Sequence, residues 1–280
     1  FIFWNMKLMD FPFIGGRIKT GVLTQNLAKN LNLDLMEKET SSVKQAWQDV
    51  KNNIDKGIPV GLQLDCYHLE YFTNKIHFAG HFVAMYGYDN EFAFLVDTQQ
   101  QGGKVKTTLK SLELARNEKG PLAAKNRSYT IKKTRKNYDL NQAIKIAIKN
   151  NANDYLNPPI KNIGYKEILK TSAEIKKWFR NSRDIERDFK TTAMLMEKAG
   201  TGGALFRNLY RDFLKESAYL LKSKSIHAAY LEFSDIAKLW TEVASLFDKA
   251  GELRNIKFIN RAAGVLMELS EKEKTAMELL

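Results

Sequence analysis

Cysteine occurs once in these 280 residues, at Cys66, so no disulfide can form within the chain. A lone thiol fits a reducing compartment, and the cytoplasm is the expected location. Histidine is scarce too, with four copies, and neither a Cys-x-x-Cys nor a His-Glu-x-x-His spacing occurs. From that stock no structural or catalytic zinc is expected, and no residue is assigned to a metal. No uninterrupted apolar run reaches about 18 residues, which excludes a transmembrane helix. The opening FIFWNMKLMDFPFIGG is apolar but carries Lys7 and Asp10, and it has no basic leader or small-residue cleavage site. It does not read as a signal peptide. An initiator methionine is also lacking, so the natural start is expected upstream of Phe1.

Acidic residues are in deficit, and the net charge is +12. The excess is spread about evenly, roughly +6 before residue 136 and +6 after it, with only the KKTRK run at Lys132–Lys136 concentrated. No aromatic-interleaved basic motif accompanies that run, so nucleic acid is not the expected partner; an acidic protein fits better. A hydrophobic share of 44% with 27% charged residues is that of a globular chain, long enough for one large domain or two ordinary ones.

What is present divides near residue 136. Before it, apolar spacing predicts helices over Thr20–Leu33, from Ser41 or Ser42 to Lys56-Gly57, and over Leu109–Arg116. Strands are expected at Leu33–Glu39, Ile58–Tyr67, His81–Tyr86, Phe92–Val96 and Ser128–Lys133. Helices first and then several strands read as α+β with an antiparallel sheet. Beyond about Tyr138 only helical periodicity remains, over Leu140–Asn150, Tyr165–Arg180, Ile185–Ala199, Ala204–Lys222, Ile226–Ala250 and Arg254–Leu279. The domains are therefore set at 1–136 and 137–280, the second all-α with a core including Leu205, Leu209, Phe213, Leu239, Trp240, Phe247 and Leu266.

The stretch HFAGHFVAMYGYDNEFAFLVD, His77–Asp97, carries the first candidate site. His81 opens one strand of a hairpin and Asp97 closes the other, so an imidazole and a carboxylate can meet at the paired ends. Such a pair orients a general base beside a nucleophile. The alternative is a strand-end histidine satisfied by hydrogen bonds and a turn-forming aspartate. Gly80 would let a ligand approach the backbone closely.

Other residues carry two readings each. Cys66, placed in a strand, is read as a small buried hydrophobe, since no helix N-terminus or cation lowers its pKa. Asp65, on the opposite strand face, caps a loop or lines a polar cleft. His68 and His77 flank the aromatic loop HLEYFTNKIH and read as solvated or structural, because no carboxylate stands at ligand spacing. The Gln99–Gly103 loop after Asp97 is a mobile flap or a simple turn. Gly200-Thr201-Gly202-Gly203 precedes a helix with Arg207 one turn in, which is either an anion site or a tightly packed turn.

Taken together, FIGGRIK, GIPVGLQLDCYHLEYF, HFAGHFVAMYGYD, LVDTQQQGG and GTGGALFRNLYRDFL resemble the butirosin-biosynthesis protein H family over nearly the whole chain. That resemblance implies a papain-like domain followed by a helical one, with the first domain similar to bacteriocin-processing cysteine peptidases. It implies an acyltransferase of natural-product biosynthesis that moves an aminoacyl group from an acyl carrier protein to an amine. His81 would be the base and Asp97 its orienting carboxylate. No cofactor is implied beyond the phosphopantetheine arm of the carrier protein, whose phosphate would rest at Gly202 and Gly203 near Arg207. Asp65, Gly80 and Gln99 complete the expected substrate contacts. The family's nucleophilic cysteine belongs to a His-Cys motif upstream of Phe1–Trp4, and Cys66 stands elsewhere in the pattern. A cysteine peptidase or amidase with the same dyad, and a non-catalytic papain-like binding protein, are the alternatives. The oligomeric state, a homo-oligomer included, stays open.

Overall fold

A computed structural model describes residue 15 and residues 21–280, apart from residues 74, 76, 121, 122, 136, 159, 161, 162 and 199–201. The described residues fall into two compact units, Thr20–Tyr138 and one built from Asp139–Leu280. The fold is α+β: an antiparallel sheet in the first unit, helices in the second.

In the first unit, α1 (Val22–Asn30), β1 (Leu33–Lys38) and α2 (Val43–Ile54) lead into β2 (Val60–Leu64). Ser42 caps α2 by accepting the Gln45 N–H at 3.2 Å. Next come β3 (His81–Tyr88), β4 (Phe92–Val96), β5 (Lys104–Thr108), α3 (Leu109–Asn117) and β6 (Ser128–Lys133). The six strands run in the order β1-β6-β2-β3-β4-β5, every pairing antiparallel. Val60, Leu62, Leu64, Val83, Met85, Ala93 and Leu95 point to a core closed by Val50 of α2 and by Leu112 and Ala115 of α3. Gly61 is required by contact: a Cβ there would sit 2.2 Å from the ring of Tyr129, its partner across the β2–β6 pairing, so a side chain would displace that ring.

The strand expected over Ile58–Tyr67 is shorter than its apolar pattern. It stops at Leu64, and Cys66–His68 turns as a single 3-10 helix whose first free N–H, that of Tyr67, is capped by Asp65 at 2.8 Å. The Gln99–Gly103 segment is a turn and not a flap: Gln101 N–H bonds to Thr98 O at 2.9 Å and Gly103 N–H to the same oxygen at 3.0 Å. It delivers the chain into β5, whose KVKTT sequence carried no apolar alternation to mark it. As the edge strand, β5 can carry lysines that a central strand would not.

The second unit comprises α4 (Leu140–Leu156), α5 (Tyr165–Asn181), α6 (Ile185–Lys198), α7 (Ala204–Leu221), α8 (Lys224–Leu253) and α9 (Ile256–Glu278). Helix α4 runs six residues past the expected Asn150 end and stops just before Pro158. Trp240, Phe247, Phe189, Phe233 and Leu266 form its core. Leu209 does not join them, being 58% exposed, and Leu205 is only partly buried. Helix α7 is rotated so that Arg207, Leu214 and Ala218 face inward, which turns Leu209 out.

Candidate active site

The sheet itself places His81. In the β2–β3 register His81 lies opposite Leu64, and the preceding turn is held by Gln63, whose buried Nε2 donates to Ala79 O at 2.7 Å. In the β3–β4 register Ala84 faces Val96, so continuing one step brings Asp97 across from Val83, on the same face as His81. The two side chains meet: His81 Nε2 and Asp97 Oδ2 are 2.7 Å apart.

Asp97 is enclosed while His81 is not quite. The aspartate side chain has no exposed surface, whereas the imidazole keeps 16%. Three groups donate to the carboxylate. Tyr71 Oη reaches Oδ2 at 2.8 Å, His81 Nε2 reaches the same oxygen, and the Thr98 N–H reaches Oδ1 at 2.6 Å. Burial alone would push this carboxyl up, but the bond from His81, its charge, and the Thr98 and Tyr71 bonds outweigh it and hold the group below its ordinary value. An ionised Asp97 accepts a hydrogen bond from Nε2–H and so favours the tautomer with its lone pair on Nδ1. Phe72 packs edge-on to the imidazole, ring centroids 5.3 Å apart at 84°, and limits its rotation.

Tyr71 and Phe72 are site residues that the sequence reading did not single out. They sit in a loop with no regular spacing, and only its aromatic richness marks it. The loop is anchored immediately before them. Leu69 is fully buried. Glu70 accepts from the Thr107 hydroxyl and from Thr108 Oγ1 at 2.7 Å, at the start of α3. Tyr71 itself has its phenol pushed up by burial and by the neighbouring Asp97 charge, so it stays protonated and donates to the carboxylate.

Cys66 lies close to this group without the properties of a nucleophile. It is 7% exposed, and burial first, then the charges of Asp65 and Asp97, push its thiol up to about 12. The thiolate is the reactive form, so this cysteine is inert near neutral pH.

The remaining expected contacts are dispersed. Asp65 is buried at 2% exposure, spends one oxygen on the Tyr67 N–H, and directs Oδ2 toward His77 Nδ1 at 3.5 Å. Gly80 is buried beneath the Phe78 ring, which would stand 2.8 Å from a Cβ, so its missing side chain serves local packing. Gln99 is exposed and lies against Gly103.

The expected anion site at Gly202 and Gly203 is corrected by the packing. Both glycines are buried, and a Cβ on Gly203 would be 2.3 Å from Met196 O. Arg207 has no exposed surface and is bound by Glu273, with Nε to Oε1 at 2.8 Å. A sealed, neutralised guanidinium cannot meet a phosphate. Gly200 and Thr201 lie outside the described residues. The two loop histidines, by contrast, find the carboxylate their sequence neighbourhood lacked: His68 Nε2 is 2.5 Å from Glu118 Oε2, and His77 is part of the same cluster.

Comparison with known families gives two adjoining matches. Residues 1–98 match the N-terminal domain of butirosin biosynthesis protein H, and residues 110–280 match a domain of unknown function, DUF4872. The chain belongs to the butirosin biosynthesis protein H family. No match is found among curated proteins. In this family member the first match ends one residue past Asp97 and takes in both residues of the dyad, and the second begins within α3 and runs through the helical unit. Among the described residues no helix is long and apolar enough to cross a membrane.

Proposed function

We propose that this family member is a cysteine-dependent acyltransferase of natural-product biosynthesis, with a papain-like first domain carrying His81 and Asp97. The observation that carries the reading is the fixed imidazole: Nε2 is committed to a buried carboxylate at 2.7 Å, and Nδ1, which has no hydrogen-bond partner among the described residues, is the nitrogen left to act. The family's association with an antibiotic pathway, by its name, supports the class of chemistry.

The nucleophile of this reading is a cysteine preceding Phe1, in the His-Cys motif that the family resemblance supplies. Cys66 does not serve, because burial keeps it protonated. In the first half-reaction His81 Nδ1 takes the proton of the upstream thiol. The resulting thiolate attacks the carbonyl carbon of a carrier-protein thioester, a new C–S bond forms, and the phosphopantetheine thiol leaves with the proton that His81 returns. In the second half-reaction an acceptor amine attacks the acyl-cysteine. The C–N bond forms as the C–S bond breaks, and His81 passes the amine proton to the departing sulfur. Asp97 stays ionised throughout and stabilises the imidazolium at each stage. The net charge of +12 suits an acidic carrier protein as the donor.

The test uses the protein with its upstream residues, incubated with an aminoacyl-loaded carrier protein and read by intact mass. A covalent acyl adduct is expected that a free amine discharges, and His81→Ala is expected to slow its formation by about 10²- to 10⁴-fold. Absence of an adduct with every thioester offered would overturn acyl transfer. Cleavage of a peptide in its place would assign the dyad to a peptidase or amidase.

A further inference from the structure

Three side chains from separate parts of the first unit converge at a point the dyad does not use. His68 ends the 3-10 turn after β2, His77 precedes β3, and Glu118 follows the last turn of α3. One ring nitrogen from each histidine and one oxygen of Glu118 all lie within 4.8 Å of one another. The cluster is supported from below and from the side. Tyr67 stacks on His77 with ring centroids 4.0 Å apart and planes 13° off parallel, and buried Asp65 holds Oδ2 3.5 Å from His77 Nδ1.

We propose that His68, His77 and Glu118 bind a zinc ion that clamps the Cys66–His77 segment to the end of α3. Two imidazoles with one carboxylate form a donor set that suits zinc and disfavours calcium or magnesium, which seek oxygens. The spacing also suits it. Zinc bonds of about 2.0–2.2 Å in a tetrahedron put ligand atoms roughly 3.3–3.5 Å apart. The present distances bracket that value, with the His68–Glu118 contact at 2.5 Å and no pair beyond 4.8 Å. Reaching it means opening the His68–Glu118 contact and drawing in His77, whose side chain is 57% exposed. Asp65 stands where an outer carboxylate fixes a ligand imidazole, and solvent on the His77 side supplies the fourth position. The clamped segment carries Tyr71 and Phe72, the residues that hold Asp97 and His81 in place, so the ion would stiffen one wall of the dyad.

The test takes the 280-residue chain, stripped with a chelator and titrated with Zn²⁺ alone against a chromophoric competitor. One equivalent is expected to bind, and its binding is expected to raise the melting temperature. His77→Ala and Glu118→Gln are each expected to weaken binding by more than the about 10- to 100-fold typical of losing an outer-shell partner, while Asp65→Asn falls within that range. His227→Ala, on α8 in the helical unit, should change nothing. Because His77 is largely exposed, its removal leaves the core intact, and an unchanged melting temperature of the metal-free variant checks this. Failure to bind one equivalent, binding undiminished in His77→Ala and Glu118→Gln, or a preference for Ca²⁺ or Mg²⁺ would each overturn the site.

Discussion

Asp97 in the sheet unit and Glu273 in the helical unit are both carboxylates withdrawn from water, each meeting donors from distant parts of its own unit. Glu273 accepts from Arg207 Nε at 2.8 Å, Arg207 Nη2 at 3.3 Å, Trp240 Nε1 at 2.6 Å and the Tyr155 hydroxyl. Arg207 also lies over the Trp240 ring at 4.3 Å and donates to Gly203 O. Arg207, Trp240 and Glu273 are wholly buried and Tyr155 nearly so. That network is closed: its charges neutralise each other, and donors from Arg207, Trp240 and Tyr155 converge on the Glu273 carboxylate. Asp97 is equally enclosed, but the histidine it holds keeps a partly exposed edge and a second nitrogen. Burial with full pairing gives a fixed core arrangement, whereas burial that stops one nitrogen short of completion leaves something able to react.

The largest test of this contrast is to break the closed network. Glu273→Ala leaves Arg207 charged, buried and without its main partner, a situation that costs about 3–5 kcal/mol. The midpoint of urea unfolding should fall accordingly. A loss below about 1 kcal/mol would show that the helical core relaxes to admit water, and the contrast with Asp97 would lapse.

A smaller effect is expected in the open network. Asp97→Asn keeps the shape but offers a single acceptor oxygen. If that oxygen serves His81 and Tyr71, which share Oδ2, the Thr98 N–H faces an amide that cannot accept from it. The reverse orientation deprives the other two. Either way at least one donor is orphaned, and the orientation that orphans only the Thr98 N–H costs about 1–3 kcal/mol. Urea unfolding of the variant reads this directly. A cost equal to that of Glu273→Ala would mean that the dyad is as much a structural element as the buried ion pair.

Both networks were only half legible in the sequence, and for the same reason. The His81–Asp97 contact is local, sixteen residues apart across one hairpin, so the strand reading could bring the two residues side by side, while a structural histidine and a turn-forming aspartate stayed open as the alternative. Tyr71 reaches the same carboxylate from a loop whose path is fixed by Glu70 on Thr107 and Thr108, and no pattern in the chain records that. Arg207 and Glu273 lie on α7 and α9, and only helix packing reveals that the arginine is spent inward. Read alone, Gly202-Gly203 and Arg207 resemble an anion site because a helix start exposes amides; the Met196 carbonyl packed on Gly203 removes it. The Cys66–His68 turn escaped for a different reason. Its residues continue the apolar run of β2, and the break comes from Asp65 capping the next turn. His68 and His77 seemed to lack a carboxylate because Glu118 joins them from the far end of α3, fifty residues beyond His68. The helical half was easy to recognise as helical, since amphipathic spacing survives in every segment, but its inward faces were not, as Leu209 shows.

The smallest effect expected is the one Glu70 makes by anchoring the loop under Tyr71. Burial alone would raise its carboxyl, but the hydroxyls of Ser111, Thr107 and Thr108 hold it at about 2 against an ordinary 4.5. A carboxyl depressed on folding favours the native state fully above the unfolded value, and this stabilisation disappears as pH falls through the folded one. The contribution should therefore be present above pH 4.5 and be lost toward pH 2. Glu70 is exposed, so solvent screening limits it to about 1 kcal/mol or less. Asp97 is also depressed and adds its own loss of stability in acid, which the wild-type curve alone does not separate from that of Glu70. The difference between wild type and Glu70→Gln does. Measured by urea unfolding at a series of pH values, it should narrow steadily as the solution is acidified through this window. A difference that stays constant would mean that the three hydroxyls support the loop equally well around a neutral side chain, and that Tyr71 is held in place by the packing of Leu69 instead.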